Sequence, residues 1–333
     1  MESPLEDLEL VHALQIAPRA TWTQLGDVLG RHPSTLAARW DRMSAEGRAW
    51  ITGHLGSVGN PGCVTFVSVE CRPGHRAEVI ERLCAVPEIA TVEESARSWD
   101  VRLTVLTRTW QRFTRDVLPL VRADPAILRT QVTVASRLYA MGNNWRLDVL
   151  SPAQQRRAAA LTPLHVRPPG ATPPHLTELM AMLSRDGRVS AAQVAATTGT
   201  HPTTAARHIR QVLETGLVAV RCELAQEFSG HPVACQWYVR VSPAQLDAAL
   251  SFLRAHRTLR LCASTTGDTN LTFFLWLRSP AEIADVEAGL QAAAPSAQVI
   301  ESDVGVRTHK RMGWYLREDS TATGRVVPVP GGE

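Results

Sequence analysis

The chain has 333 residues, 44% of them hydrophobic and 20% charged, which is enough apolar material for several packed cores. Its formal net charge of +3 is too mild to point to nucleic acid by itself. No apolar run approaches the ~20 residues of a membrane-spanning helix.

The N-terminus, "MESPLEDLEL", is acidic and lacks the basic start and apolar stretch of a secretory leader, so a cytoplasmic protein is expected. Residues 5–17 carry Leu5, Leu8, Val11, His12 and Ile16 near helical spacing. "RATWTQLGDVLGRHPSTLAARWDRMSAEG" then reads as two short helices around a turn. Thr21 or Thr23 caps the first and Gly30 ends it; Pro33 opens the second and Gly47 closes it. "RAWITGHLG" follows as a short strand and turn, a wing to this helix–turn–helix.

A β-branched strand comes next at 63–71, "CVTFVSVEC", then an amphipathic helix in "PGHRAEVIERLCAV". "ATVEESARSWDVRLTVLT" predicts two strands around a turn. "WQRFTRDVLPLVRAD" predicts a helix with Pro119 as a candidate break, and "ILRTQVTVASRLY" a last strand. The order is βαββαβ, the ferredoxin-like arrangement. "SPAQQRRAAALTPLHVRPPGATPPHL" then reads as a linker stiffened by six prolines.

Everything before that linker is repeated after it. His32–Pro33 returns as His201–Pro202, an offset of 169 (201 − 32). The same offset superposes Leu14 on Leu183, Thr21 on Ser190, Gln24 on Gln193, Gly30 on Gly199 and Gly47 on Gly216. Pro73/Pro243 and Leu83/Leu253 follow at 170, and Met141–Gly142/Met312–Gly313 at 171. Slips of one residue in loops are what an old duplication leaves. After Leu316 the tail is polar with scattered Gly and Pro, and is expected to be disordered.

With these motifs in place the chain resembles the Lrp/AsnC (feast/famine) transcription regulators, duplicated in tandem. Their recognition-helix signature appears as Ser34, Leu36, Arg39, Trp40, Met43 and Gly47, and again as Thr203, Ala205, His208, Ile209, Val212 and Gly216. The resemblance implies an α+β fold with two copies of a winged helix–turn–helix domain followed by a ferredoxin-like domain. The expected boundaries are 1–58 and 59–146, a linker at 147–173, 174–228 and 229–316, and the tail at 317–333. It also implies a small amino-acid-like effector near a Gly-Asp motif, found only in the second copy as Gly267, Asp268, Thr269 and Asn270. The first copy has Arg97 and Ser98 in that place.

A recognition helix enters the major groove by its N-terminal half. On helical spacing Thr35, Ala38, Arg39 and Arg42 share a face, with the Ser34 hydroxyl beside them, while Leu36, Trp40 and Met43 pack inward. The second copy offers Thr203, Thr204, Arg207, His208, Arg210 and Gln211. Its "AAR" is out of register by one residue, so Arg39 aligns with His208 and Arg207 with Ala38. Two different readers of double-stranded DNA are therefore expected, in a chain that also self-associates.

The basic residues suit forked contacts to phosphate and guanine, since Lys310 is the single lysine among 35. The cysteines at 63, 71, 84, 222, 235 and 262 form no C-x-x-C and read as reduced, buried thiols. Trp99, Trp110, Trp237 and Trp276 read as core or interface residues. No metal, cofactor or nucleophile motif is present, and no catalytic role is expected. One rival is an enzyme: siroheme decarboxylases share the two-part unit, but their Arg-Phe-Gly and Asn-x-Trp-Phe-Val stretches are replaced here by "TGHLG", "DVRLTV" and "NLTFF". Another is a ligand sensor without DNA binding.

Overall fold

The computed structural model describes residues 4–56, 62–140, 145–162 and 172–328. The first repeat opens with α1 (Pro4–Ile16), α2 (Trp22–Leu29), α3 (Pro33–Ala45) and β1 (Ala49–Leu55). Thr21 and Gln24 form a capping box on α2, and Gly30 closes that helix at φ 68°. Pro33 occupies the first turn of α3, where its missing N–H removes no helical bond. Then come β2 (Cys63–Cys71), α4 (Arg76–Ala85), β3 (Ile89–Ser95) and β4 (Val101–Thr107). A helical stretch follows as α5 (Trp110–Arg112), a π-helical turn (Phe113–Val117) and α6 (Leu118–Arg122). Pro119 does not end it: it falls in the first turn of α6, after the wider π turn. The repeat closes with β5 (Ile127–Ala140).

The expected linker holds a helix, α7 (Pro152–Ala159), whose Ala158 packs into the core of α1–α3. The rest of that linker, 163–171, and the Met141–Gly142 repeat position lie outside the described residues. The second repeat gives α8 (Leu176–Arg185), α9 (Ala191–Thr198), α10 (Pro202–Glu214), β6 (Val218–Leu224) and β7 (Val233–Arg240). It continues with α11 (Leu246–Ala255), β8 (Leu259–Thr265), β9 (Leu271–Leu277), α12 (Glu282–Ala293) and β10 (Gln298–Arg311). Two short strands end the chain, β11 (Trp314–Leu316) and β12 (Ala322–Val326). The tail is thus ordered as far as β12. Gly47 explains part of this: a Cβ there would lie 2.2 Å from the Ala322 carbonyl oxygen, and its φ of 71° favours glycine.

Strand pairing overturns the expected fold of two independent winged-helix and ferredoxin-like units. β5 and β10 have 14 residues each. The first half of β5 pairs with β2 of its own repeat, and the second half with β8 of the other. β10 likewise pairs first with β7 and then with β3. The ring β10-β3-β4-β2-β5-β8-β9-β7 therefore closes through β7–β10 into one antiparallel eight-stranded barrel. Long strands that outrun their own sheets satisfy their backbone groups on the partner repeat, which leaves no free sheet edge in the ring. The helices pack outside, over two separate apolar cores.

The expected wings are also not independent. β1 and β6 pair with each other, Ala49 opposite Leu224 through Leu55 opposite Val218. Repeat-mate strands lie four places apart around the ring, so the repeats are related by a pseudo-twofold along the barrel axis. Thr52 pairs with Arg221, its own mate at the 169 offset, so that axis passes through this pair.

Candidate functional site

The expected DNA-reading face of α3 is divided. Ser34, Thr35 and Ala38 are exposed and Arg42 is half-buried, but Arg39 is buried. Its guanidinium donates to Asp7 Oδ1 at 2.9 Å and pairs with Glu6, while Arg42 donates to Asp7 at 3.1 Å. The acidic first turn of α1 thus claims the arginine that helical spacing placed outward. On α10, Thr203, Arg207 and Arg210 are exposed, Thr204 and Gln211 are half-buried, and His208 is buried.

The Gly-Asp loop caps the end of the barrel away from β1 and β6. Gly267 turns the chain at φ 109°. The Asp268 carbonyl accepts from Arg240 at 2.8 Å and the Asn270 side chain clamps both backbone groups of Val241, at 2.9 and 2.8 Å. Thr269 is buried, its carbonyl accepting from the Thr265 hydroxyl. Thr269 and Asn270 are occupied in holding the turn, and none of the four residues lines the cavity described next.

At the other end of the barrel the β1–β6 pair covers the mouth, and the sequence reading missed what lies beneath it. Alternation along the strand puts Arg221 and Glu223 on one face, with Trp50, Thr52 and His54 across the ladder. Glu223 accepts from Arg221 at 2.6 Å and from Arg260 at 2.9 Å. The Arg260 guanidinium lies against the corner of two indoles, Trp276 at 4.2 Å and Trp145 at 4.9 Å. Arg311 approaches Trp276 at 4.9 Å, and the two indoles meet edge-on at 4.9 Å. Deeper in the barrel Arg102 faces Asp303 at 3.4 Å and Glu93 at 3.9 Å.

Arg221, Arg260, Arg311 and Gln236 form one side of a cavity of about 90 Å³. Val64, Phe66 and Leu106 form an apolar wall, with Met312, Leu261 and Phe274 completing the lining beside Thr91, Glu93 and Thr104. Burial pushes Arg221 and Arg311 down to about 10. Burial alone would raise Glu223, but Arg221, Arg260 and Arg311 hold it at about 2. Three buried guanidiniums therefore gather around Glu223, with Glu93 in the cavity lining as a second carboxylate near Arg311.

Several of their donors have no acceptor: Arg221 Nε, one terminal nitrogen each of Arg260 and Arg311, and the indole nitrogens of Trp145 and Trp276. A buried donor left unpaired costs about 1–3 kcal/mol. A group of such donors beside flat indoles has the chemistry to hydrogen-bond carboxylate oxygens. The sequence signal was charged residues inside otherwise apolar strands, "VRCEL" and "LRLCA".

No family model matches the chain, and no curated protein matches it in sequence. Among solved structures, the crystal structure of the siroheme decarboxylase NirDL aligns over 96% of both chains, with a TM-score of 0.61 and 12% identity. NirDL in co-complex with an iron-uroporphyrin III analogue aligns over 93% of both, with a TM-score of 0.60 and 11% identity. Escherichia coli AsnC covers 42% of this chain and 96% of its own, with a TM-score of 0.33 and 14% identity. That whole-length likeness in fold is to an enzyme, which points against the expectation of a chain with no catalytic role. Among the described residues no helix is long and apolar enough to cross a membrane.

Proposed function

We propose that this chain is an enzyme that decarboxylates carboxylate-bearing tetrapyrroles of the siroheme class at the covered barrel mouth. The observation that carries the reading is the set of buried, acceptor-less donors on Arg221, Arg260, Arg311, Trp145 and Trp276. The whole-length likeness to NirDL supports the fold on which it rests. The enclosed space of about 90 Å³ is below the roughly 300–1,000 Å³ that takes a whole ligand. It has room for one carboxylate arm of such a ligand.

In the reaction the bond from an acetate arm to its carboxyl carbon breaks and carbon dioxide leaves. The electron pair stays on the arm carbon, spread into the pyrrole, until a proton arrives and the arm becomes methyl. A carboxylate held by arginine is stabilised before the bond breaks, which opposes that loss. The arginines therefore anchor spectator arms, and the reacting arm lies against Val64, Phe66 and Leu106, where a dispersed charge is favoured over a localised one. This chain lacks the family's Arg-Phe-Gly, reading His54, Leu55 and Gly56 there. Arg221, Arg260 and Arg311 take over the anchoring.

The test is incubation with siroheme, followed by mass spectrometry for loss of carbon dioxide and by the Soret band for binding. No spectral change and no mass loss would sink the proposal. A second reading, contact with double-stranded DNA through α10, is supported by Thr203, Arg207 and Arg210 standing exposed together. Gel-shift titration of the parent chain and Arg207→Ala tests it, the variant binding more weakly and with a flatter salt dependence.

A further inference from the structure

The reaction proposed above consumes one proton at the arm carbon, so the cavity must hold a group that gives it. The lining contains no histidine, cysteine or lysine among the described residues. Thr91 and Thr104 bring hydroxyls, which are outside the usual set of proton donors. Arg221, Arg260 and Arg311 stay charged at neutral pH and hold anions. Glu93 is the carboxyl in the lining.

Register sets Glu93 beside the apolar wall. Thr104 of β4 lies opposite Thr91 of β3 on one side and opposite Phe66 of β2 on the other, and Leu106 lies opposite Val64. Glu93 follows Thr91 by two residues, so both line the inner face one strand over from Thr104 and Leu106. The two Glu93 oxygens are held unequally. Oε1 accepts from the Thr308 hydroxyl at 3.2 Å. Oε2 has Arg102 Nη2 at 3.9 Å, beyond hydrogen-bond reach. Arg311 on β10 and Tyr238 on β7 also lie within reach of its charge. Asp303, beside the same Arg102 guanidinium, is held firmly: Ser95 Oγ lies 2.9 and 2.8 Å from its two oxygens, and Arg102 Nη1 lies at 3.4 Å. Asp303 is thus the standing counter-charge of Arg102, and Glu93 is the carboxyl left able to change its charge. Two carboxyls with surroundings this different divide the work of acid and fixed charge.

We propose that Glu93 is the catalytic acid of this site, whose carboxyl gives the proton that turns the decarboxylated arm into a methyl group. This rests on the reading above. The reacting arm enters as a carboxylate, and two carboxylates sharing one enclosed space cannot readily both stay ionised. Glu93 therefore takes a proton from solvent as the arm arrives, while the arginines hold the spectator arms. The bond to the carboxyl carbon breaks and carbon dioxide leaves uncharged. The electron pair left on the arm carbon then takes the Glu93 proton, and Glu93 becomes a carboxylate facing Arg102 again. Each turnover consumes one arm carboxylate and one solvent proton and restores the site.

Glu93→Gln keeps the size of the side chain and an acceptor for Thr308 but gives no proton. Iron uroporphyrin, titrated by its Soret band, should bind this variant within about threefold of the parent, while carbon dioxide loss from siroheme, followed by mass spectrometry, should slow by roughly 100-fold or more. Parent turnover should fall as the pH rises, because the acid must be protonated, and the residual rate of Glu93→Gln should not follow that fall. A Glu93→Gln variant that turns over within about threefold of the parent, or loses affinity by the same factor as turnover, overturns the inference and leaves the decarboxylase reading standing. A parent that releases no carbon dioxide overturns that reading itself. If Glu93→Gln does not fold, Glu93→Asp decides. Drawing the carboxyl back by one methylene should slow turnover by roughly tenfold or more with affinity kept. Turnover of Glu93→Asp at the parent's rate refutes the inference.

Discussion

Glu223 and Arg260 meet at 2.9 Å beneath the strands that cover the barrel, with 1% and 7% of their side chains exposed. Arg221 reaches the same carboxylate from two residues earlier on the same face of its strand. Glu223→Gln would leave both guanidiniums buried without that counter-charge. Losing one partner of a buried pair costs about 3–5 kcal/mol. The variant should unfold at clearly lower urea concentration than the parent. Saturating iron uroporphyrin should stabilise it, because a ligand bound only to the native state shifts the equilibrium by mass action. An unchanged midpoint would show that Glu223 does not balance the arginines.

Acid should weaken the fold from about pH 6.5 downward. His54 is pulled from 6.5 to about 4, by burial first and Arg221 next. His12 is pulled to about 4, by burial and then Arg146. Both are neutral in the native state, whereas the unfolded chain takes up protons below 6.5. Stability is therefore full above about pH 6.5 and falls as the pH drops toward 4. For His54 a drop of this size amounts to roughly 3 kcal/mol, at ~1.4 kcal/mol per pH unit. Melting temperature recorded from pH 8 to 4 should decline through this window, and His54→Gln should flatten the decline.

The parts of this fold that were legible in the sequence are those set by neighbours in the chain. Thr21, Gln24 and Gly30 fix one helix locally, and their mates Ser190, Gln193 and Gly199 do so again. The closed barrel was not legible, because nothing within β5 or β10 says that half of each 14-residue strand belongs to the other repeat. Arg39 shows the same limit. Its spacing along α3 placed it with Arg42 on an outer face, and only the packing of α1 brings Glu6 and Asp7 against it. Arg221, Arg260 and Arg311 stand far apart in sequence and meet only once the barrel is closed and covered.

Arg39 and Arg207 should therefore behave oppositely, although both sit in recognition-helix segments. Arg39→Met removes the buried guanidinium that joins Glu6 and Asp7, leaving Glu6 to Arg31 and Asp7 to Arg42 and Arg48, and should destabilise the fold by about 1–3 kcal/mol. Arg207 is exposed, and Arg207→Met should stay within about 0.5 kcal/mol of the parent. Urea denaturation of the two variants checks this, and equal losses would refute it.

Thiol chemistry offers an independent check on burial. Burial pushes Cys71 and Cys84 up to about 11, and Cys235 and Cys262 up to about 12. Cys222 is pushed higher still by burial and by Glu223. Cys63 alone among the six is half-exposed. A thiol-reactive reagent at neutral pH should label one cysteine quickly in the native protein and the other five only on unfolding. Fast labelling at Cys222 would mean that the β1–β6 pair opens readily.

The last prediction separates charge from geometry at the proposed anion site. Arg260→Lys keeps the net charge and the distance along the side chain, so a site working only by surplus positive charge would tolerate it. Arg260, however, does two things with one planar group: its Nη2 donates to both Glu223 oxygens, and its plane packs against Trp276 and Trp145. An ammonium has no plane to lay against an indole and is more strongly hydrated, so it is held less well beside Trp276 and Trp145. It also leaves no rigid nitrogen aimed toward an arriving carboxylate. Binding of iron uroporphyrin should therefore weaken by roughly tenfold, the size of one charge-assisted hydrogen bond. The near-ultraviolet circular dichroism should shift as the Trp145–Trp276 pair loosens. Undiminished affinity in Arg260→Lys would show that the mouth attracts anions by charge alone, and that the stack of arginine and indoles plays no part in holding them.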